Sequence, residues 1–256
     1  MDIVLGEGPR AALLLHGLTG TPEEVRPIAE ALHRAGFAVR APLLAGHGDA
    51  ETLAEEGWPA WYATATSHLD ALAERGPVLV VGFSMGALLA LRLAALARAR
   101  VVGVVAISVM LELPAWQAAL ARGLADLRRR PSLGAFVGHF PKLAIDVRIF
   151  ARSRRSPSLR VFPYAAIASL ADLQRDVRPR LGHITAPLLL LHGRHDHTAP
   201  VVFSARVAQA VASSYVRRVV LPRSFHVVGV DLDEPQVCAE VVAFARAVLG
   251  DLAPGR

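Results

Sequence analysis

Apolar residues along this chain come in two rhythms. The apolar runs in "RAALLLHG" (10–17), "PVLVVG" (77–82), "VVGVVAIS" (101–108) and "APLLLLHG" (186–193) lack the alternation of a half-exposed strand. They suit strands covered on both faces. Between them lie segments with helical spacing. "PEEVRPIAEALHRAG" (22–36) reads as a helix with Thr21 as cap, Pro22 at its first position, acids in its first turn and Gly36 at its end. "GWPAWYATATSHLDALAERG" (57–76) and "MGALLALRLAALARA" (85–99) read the same way. "FAVRAPLL" (37–44) and "YVRRVVLP" (215–222) add two strands. Helices are expected around 201–213 and over "EPQVCAEVVAFARAVLG" (234–250). Strands alternating with helices predict an α/β fold, a mostly parallel sheet with helices on both faces. The rhythm breaks between Ser108 and Thr185, where helical stretches occur without a convincing buried strand. Residues 109–182 are therefore expected to form a helical cap inserted into a core built from 1–108 and 183–256.

Composition narrows the class. The chain has 256 residues, enough for one large domain with an insertion, and 53% of them are hydrophobic. The net charge is +6, and Lys142 is the only lysine among 28 basic residues. The arginines gather between 122 and 180, as in "LRRRP" and "ARSRRSPSLR", and read as a solvated basic face. Aromatics are only 6% and no nucleic-acid module is visible, so nucleic acid is not an expected partner. One cysteine, Cys238, forbids an internal disulfide. The N-terminal run "AALLL" is too short for a signal segment or a membrane span, so a soluble, cytoplasmic protein is expected.

One hydroxyl stands where a strand gives way to a helix. "VVGFSMGALLAL" carries Gly-Phe-Ser-Met-Gly over 82–86. In that context the glycines permit a turn too tight for side chains, and the turn lifts Ser84 above the carboxyl edge of the sheet. The competing reading is a small residue in a tight turn. A helix N-terminus favours negative charge, so the N–H of Met85 is a candidate donor to an oxyanion. "LLLHGLTGT" (13–21) offers a second donor, the N–H of Leu18, with His16 orienting the loop. It lacks the glycine spacing and lysine of a phosphate-binding loop.

A nucleophilic serine needs a base, and the base an orienting acid. "LLLLHGRHDHTAPV" places Asp196 after one strand, and "VVLPRSFHVVGVD" places His226 after the next. Parallel strands end on one edge, so both can reach Ser84. Asp231 and Asp233 are alternative acids. His192, His195 and His197 around Asp196 leave a metal site as a competing reading, weakened by the lack of a further carboxylate or cysteine at ligand spacing.

These residues carry a resemblance. "LLLHGLTGTPEEV", "GHG" (46–48), "VVGFSMGALLAL", "ITAPLLLLHGRHDHTAP" and "LPRSFHVVGVD" together resemble the bacterial carboxylesterase and monoacylglycerol lipase branch of the serine α/β hydrolases, end to end. The resemblance implies the α/β-hydrolase fold and cleavage of small-molecule carboxylic esters. It implies Ser84, Asp196 and His226 as triad, Leu18 and Met85 as backbone oxyanion donors, and no cofactor. It implies a cap roofing an apolar acyl pocket, with Leu113, Trp116, Leu120, Phe136, Phe140 and Ile145 as candidates to line it. Such proteins often carry glycine before the catalytic histidine; here Phe225 stands there and is expected to narrow the pocket or to shift His226. A thioesterase or carbon–carbon bond hydrolase would use the same triad, and a ligand-binding protein of this fold is the non-enzymatic alternative.

Overall fold

The computed structural model describes residues 1–128, 138–141, 146–148 and 158–250. Phe136, Lys142 and Ile145, singled out above, lie outside them. Nine strands are assigned among the described residues. They are β1 (Ile3–Leu5), β2 (Ala11–Leu15), β3 (Ala38–Ala41), β4 (Val78–Phe83), β5 (Val101–Ile107), β6 (His139–Pro141), β7 (Val161–Pro163), β8 (Leu188–Gly193) and β9 (Val216–Leu221). The helices are α1 (Arg26–Arg34), α2 (Ala50–Glu55), α3 (Trp58–Ala73), α4 (Met85–Leu96), α5 (Ala115–Arg128), α6 (Tyr164–Val177), α7 (Val202–Ala210) and α8 (Glu234–Leu249).

Seven strands form one sheet in the order β1-β3-β2-β4-β5-β8-β9. All neighbours pair parallel except β1, an antiparallel edge strand on β3. The unbroken apolar runs follow from burial on both faces. Leu13, Leu15 and Val80 pack on one side against α3 and α4, through Trp61, Leu69, Leu88 and Leu91. Leu14, Leu79 and Val81 point the other way, toward Ile28 and Leu32 of α1 and Val237, Val241 and Phe244 of α8. Truncating one such leucine to alanine costs about 2–5 kcal/mol.

The strand order sets the site. From β2 the chain turns to β3 on one side, whereas β4 lies on the other and leads on to β5. The loops leaving β2 and β4 therefore diverge at the carboxyl edge and leave a crevice between them, where ligands of open α/β sheets bind.

Several elements differ from expectation. The helix expected from Pro22 begins as a 3-10 turn over Pro22–Val25, and Thr21 makes no side-chain cap bond. Arg26 takes over that turn with an ion pair to Glu23. The short β1 and α2 were not foreseen; Asp49 caps α2 by accepting the N–H groups of Glu51 and Thr52. The stretch between β5 and β8 is not purely helical, for β6 and β7 pair as a small antiparallel ribbon. The helix α6 packs on the rest of the molecule. Ala166, Leu170, Leu173 and Val177 belong to the same buried cluster as α3, α4 and the sheet.

Glycine spacing at the β4–α4 turn is a packing requirement. A Cβ on Gly86 would lie 2.2 Å from the carbonyl oxygen of Leu15. Gly123, inside α5, has open space around it. Gly86→Ala is accordingly expected to destabilise the protein by about 1–3 kcal/mol or more. Gly123→Ala should stabilise it by about 0.5–1 kcal/mol through helix propensity. Chemical unfolding of the two variants checks this: equal effects would mean that the turn yields to a side chain.

Candidate active site

The turn between β4 and α4 holds Ser84 at φ 54°, ψ −110°, a backbone conformation rare for a residue with a Cβ. The turn closes so tightly that a Cβ on Gly82 would sit 2.1 Å from the carbonyl oxygen of Gly86. The Ser84 N–H donates to the carbonyl of Ile107 on β5 at 2.9 Å. Its hydroxyl is carried to the sheet's carboxyl edge, where Oγ lies 3.0 Å from His226 Nε2. His226 Nδ1 is 2.8 Å from Asp196 Oδ2. The three residues, 142 positions apart at the extremes, form one hydrogen-bonded line.

Asp196 is held from several sides. Its Oδ1 accepts the N–H groups of Thr198 and Ala199 at 2.9 and 2.7 Å. His192 Nε2 lies 3.1 Å from Oδ2 and also bonds the Ala199 carbonyl. Burial by itself would push this carboxyl up. The nearby His226 charge, the His192 and His226 hydrogen bonds and the Ala199 N–H outweigh it and hold the carboxyl well below the usual range. The group is therefore an anion that can accept from His226 Nδ1–H and fix the imidazole tautomer.

The other candidates have other work. Asp231 Oδ2 accepts the Phe225 N–H and its Oδ1 that of Arg148. Asp233 takes the Arg223 N–H, the Arg223 guanidinium and the Ser224 hydroxyl. Both fold the loop that presents His226. The three histidines around Asp196 diverge: His192 is buried against it, His195 is exposed, and His197 Nδ1 bonds Asp146 Oδ1 at 2.9 Å. Among the described residues no group of three or more His, Cys, Asp or Glu side chains is placed to hold a metal.

The loop after β2 is braced by His16. The Leu44 N–H donates to its Nε2, so Nδ1 carries the proton and donates to the Gly17 carbonyl at 2.9 Å. Glu24, buried on the cavity wall, accepts the Gly17 N–H. Leu18 lines the cavity, and Met85 opens α4, where helix N–H groups have no intrahelical acceptor.

Ser84 and His226 open into a cavity of about 580 Å³. Leu113, Trp116 and Leu120 line it from the α5 side, Phe140 and Phe162 from the ribbon, and Tyr164, Ile167 and Leu170 from α6. Phe225 is not in this wall. Its ring packs edge-on to His197 and beneath the guanidinium of Arg148, so the narrowing expected of it does not arise. Sequence reasoning also missed Asp146. Its side chain accepts the His197 and Thr198 N–H groups, and its carbonyl the Val227 N–H, tying Asp146 to the loops that carry Asp196 and His226. Nothing in the local sequence signals that long-range role. His192 did carry a signal, standing near the end of β8 four residues before Asp196.

The family model described as "Serine aminopeptidase, S33" matches residues 7–233. The chain belongs to this family of serine α/β hydrolases. It is similar to a thermostable monoacylglycerol lipase from Bacillus sp. (strain H-257), 30% identical over 93% of this chain and 90% of that protein. It is also similar to a carboxylesterase from Bacillus subtilis (strain 168), 24% identical over 93% and 92%. Among solved structures, one of the metagenome-derived lipolytic enzymes LipS and LipT superposes with a TM-score of 0.86 at 25% identity, covering 96% of this chain and 97% of the other. The monoacylglycerol lipase of Paleococcus ferrophilus shares the fold, with a TM-score of 0.81 at 20% identity over 96% and 98%. Among the described residues of the hydrolase, no helix is long and apolar enough to cross a membrane.

Two buried histidines behind the site lead to the expectation that this hydrolase loses stability in acid. Burial, with a smaller push from His47, lowers His16 to about 3. Burial lowers His47 to about 4. In the unfolded chain both take up a proton near pH ~6.5, whereas the folded protein resists it. Stability from these groups is thus full above the unfolded value and falls as pH drops below it. Between pH ~6.5 and ~5 each should cost about 2 kcal/mol. Urea unfolding across that range, with His47→Leu expected to lessen the slope, is the check; a flat profile would contradict the buried neutral pair.

Proposed function

We propose that Ser84, His226 and Asp196 hydrolyse carboxylic esters through an acyl-enzyme intermediate. The observation that carries this is the hydrogen-bonded line from Ser84 Oγ through His226 to Asp196, opening into an apolar cavity. Ser84 Oγ attacks the ester carbonyl carbon while His226 Nε2 takes its proton. The carbonyl oxygen, now an anion, is held by the N–H groups of Met85 and Leu18. Such donors act where charge develops, and losing one typically costs about 2.7–4 kcal/mol of barrier. Asp196 keeps the His226 tautomer and stabilises its cation. His226 returns the proton to the departing alkoxide, which leaves as the alcohol. It then draws a proton from water as the water attacks the acyl-enzyme, and releases that proton to Ser84 as the acid departs. None of these steps calls for a metal or cofactor.

The substrate class follows from the walls. We take the segment 109–182 as a cap that contributes the acyl site to the core of 1–108 and 183–256. Its contributions are Leu113, Trp116, Leu120, Phe140, Ile167 and Leu170. An apolar chain gains about 0.8 kcal/mol for each methylene buried, so short- to medium-chain acyl esters or monoacylglycerols fit. The names of the two Bacillus relatives support the same chemistry. A peptidase reading draws on the family description, but the two wall carboxylates are already engaged. Glu24 holds the Gly17 N–H, and Asp146 holds His197 and Thr198. We assign the enzyme to the cytoplasm, a reading supported by its single half-buried cysteine, whose thiol burial pushes up to about 11.

Ser84→Ala should lower kcat by more than about 10³-fold with the fold intact. Hydrolysis of p-nitrophenyl butyrate by purified S84A at a few percent of the wild-type rate would refute the nucleophile. Ile167→Trp, which fills the cavity, should leave acetate turnover near wild type and cut kcat/KM for laurate and caprylate esters. A chain-length profile identical to wild type would show that α6 does not line the acyl site.

A further inference from the structure

Ser108, the residue just past β5, takes no part in the chemistry described so far. It is fully buried and has φ 47°, although it is not glycine. A residue held in so sparsely populated a conformation needs surroundings that over-determine it, and such residues gather at functional sites. The surroundings here are the three strand ends that carry the triad. Ile107 accepts the Ser84 N–H through its carbonyl at 2.9 Å. The Ser108 N–H donates to the carbonyl of Leu191 on β8, five residues before Asp196, at 2.8 Å. The Ser108 hydroxyl donates to the main-chain carbonyl of His226 at 2.8 Å, across 118 residues of sequence. That carbonyl also accepts the Val228 N–H at 2.9 Å. One dipeptide, Ile107–Ser108, therefore bonds directly to the nucleophile, to the strand of the acid and to the base.

We infer that Ser108 is a positioning residue for the base: its hydroxyl, aimed by the left-handed backbone, fixes the His226 main chain so that Nε2 meets Ser84 Oγ. The loop from Pro222 to Val227 carries His226 beyond the last sheet strand; backbone bonds from the His195 N–H to the Ser224 carbonyl and from the Val227 N–H to the Asp146 carbonyl hold it on either side of His226. Asp231 bonds Phe225 and Asp233 bonds Arg223 and Ser224, so those contacts shape the loop from within. The Ser108 hydroxyl ties it to the central strand on which Ser84 rests. A displacement of about 1 Å at such a site costs as much as about 100-fold in rate.

This inference rests on the triad reading, and the test separates the two. Full-length Ser108→Ala and Ser108→Gly are compared with wild type and with Ser84→Ala on p-nitrophenyl butyrate. Alanine keeps the strain and removes the hydroxyl, whereas glycine removes both. In both Ser108 variants kcat should fall by about 10- to 100-fold while KM stays within about twofold. The downfield proton resonance of His226 Nδ1–H should broaden or move. Glycine, which suits a positive φ, should be the more stable of the two and no more active. Wild-type kcat in a folded Ser108→Gly would overturn the inference. So would a rise in KM with kcat unchanged, or failure of both variants to fold, since the hydroxyl would then serve the fold and not the base. Activity remaining in Ser84→Ala would instead refute the underlying triad, whatever the Ser108 variants did.

Discussion

Everything functional in this molecule depends on a turn too tight for side chains. Between β4 and α4 the backbone comes close enough to β2 and to itself that a Cβ at either flanking glycine would strike a carbonyl oxygen about 2 Å away. The residue between them must then adopt φ 54°, an arrangement that costs roughly 1–3 kcal/mol for anything but glycine. The buried sheet meets that cost. Leucines and valines of β2, β4 and β8 pack helices on both faces and leave the turn no room to relax. A hydroxyl stands at the carboxyl edge because the core holds it there.

The strain is not confined to one residue. Thr19, Ser84 and Ser108 are the non-glycine residues with positive φ among the described part of the chain. They lie in the loop after β2, in the β4–α4 turn and at the end of β5, and Ser84 among them lines the cavity. The inserted segment is bound to the same places. The Leu159 N–H reaches the Thr19 carbonyl, and Asp146 bridges the acid and base loops.

The sheet was legible in the sequence because strands buried on both faces leave continuous apolar runs, and α/β alternation dictates parallel pairing. The proximity of Ser84, Asp196 and His226 could be expected because parallel strands all end on one edge, while the choice of these three among the alternatives drew on the family resemblance. The edge strand β1 was not legible, being three residues with only Ile3 buried. The ribbon β6–β7 was hidden because its strands are only three residues each and, of their six positions, only Pro163 is buried. Phe225 was misjudged because sequence adjacency to His226 says nothing of which way a ring turns; it turned toward His197 and Arg148. Asp146 and Ser108 act across long stretches of chain, a relation no local pattern encodes.

The central claim is that the strained serine becomes covalently acylated. Rapid mixing of the enzyme with a slowly deacylating p-nitrophenyl ester, followed by acid quench and intact-mass and peptide analysis, tests it most directly. The account predicts a burst of p-nitrophenol equal to the enzyme concentration and an acyl group on the peptide containing Ser84. Turnover with no burst and no adduct, or an adduct on any other residue, would contradict it.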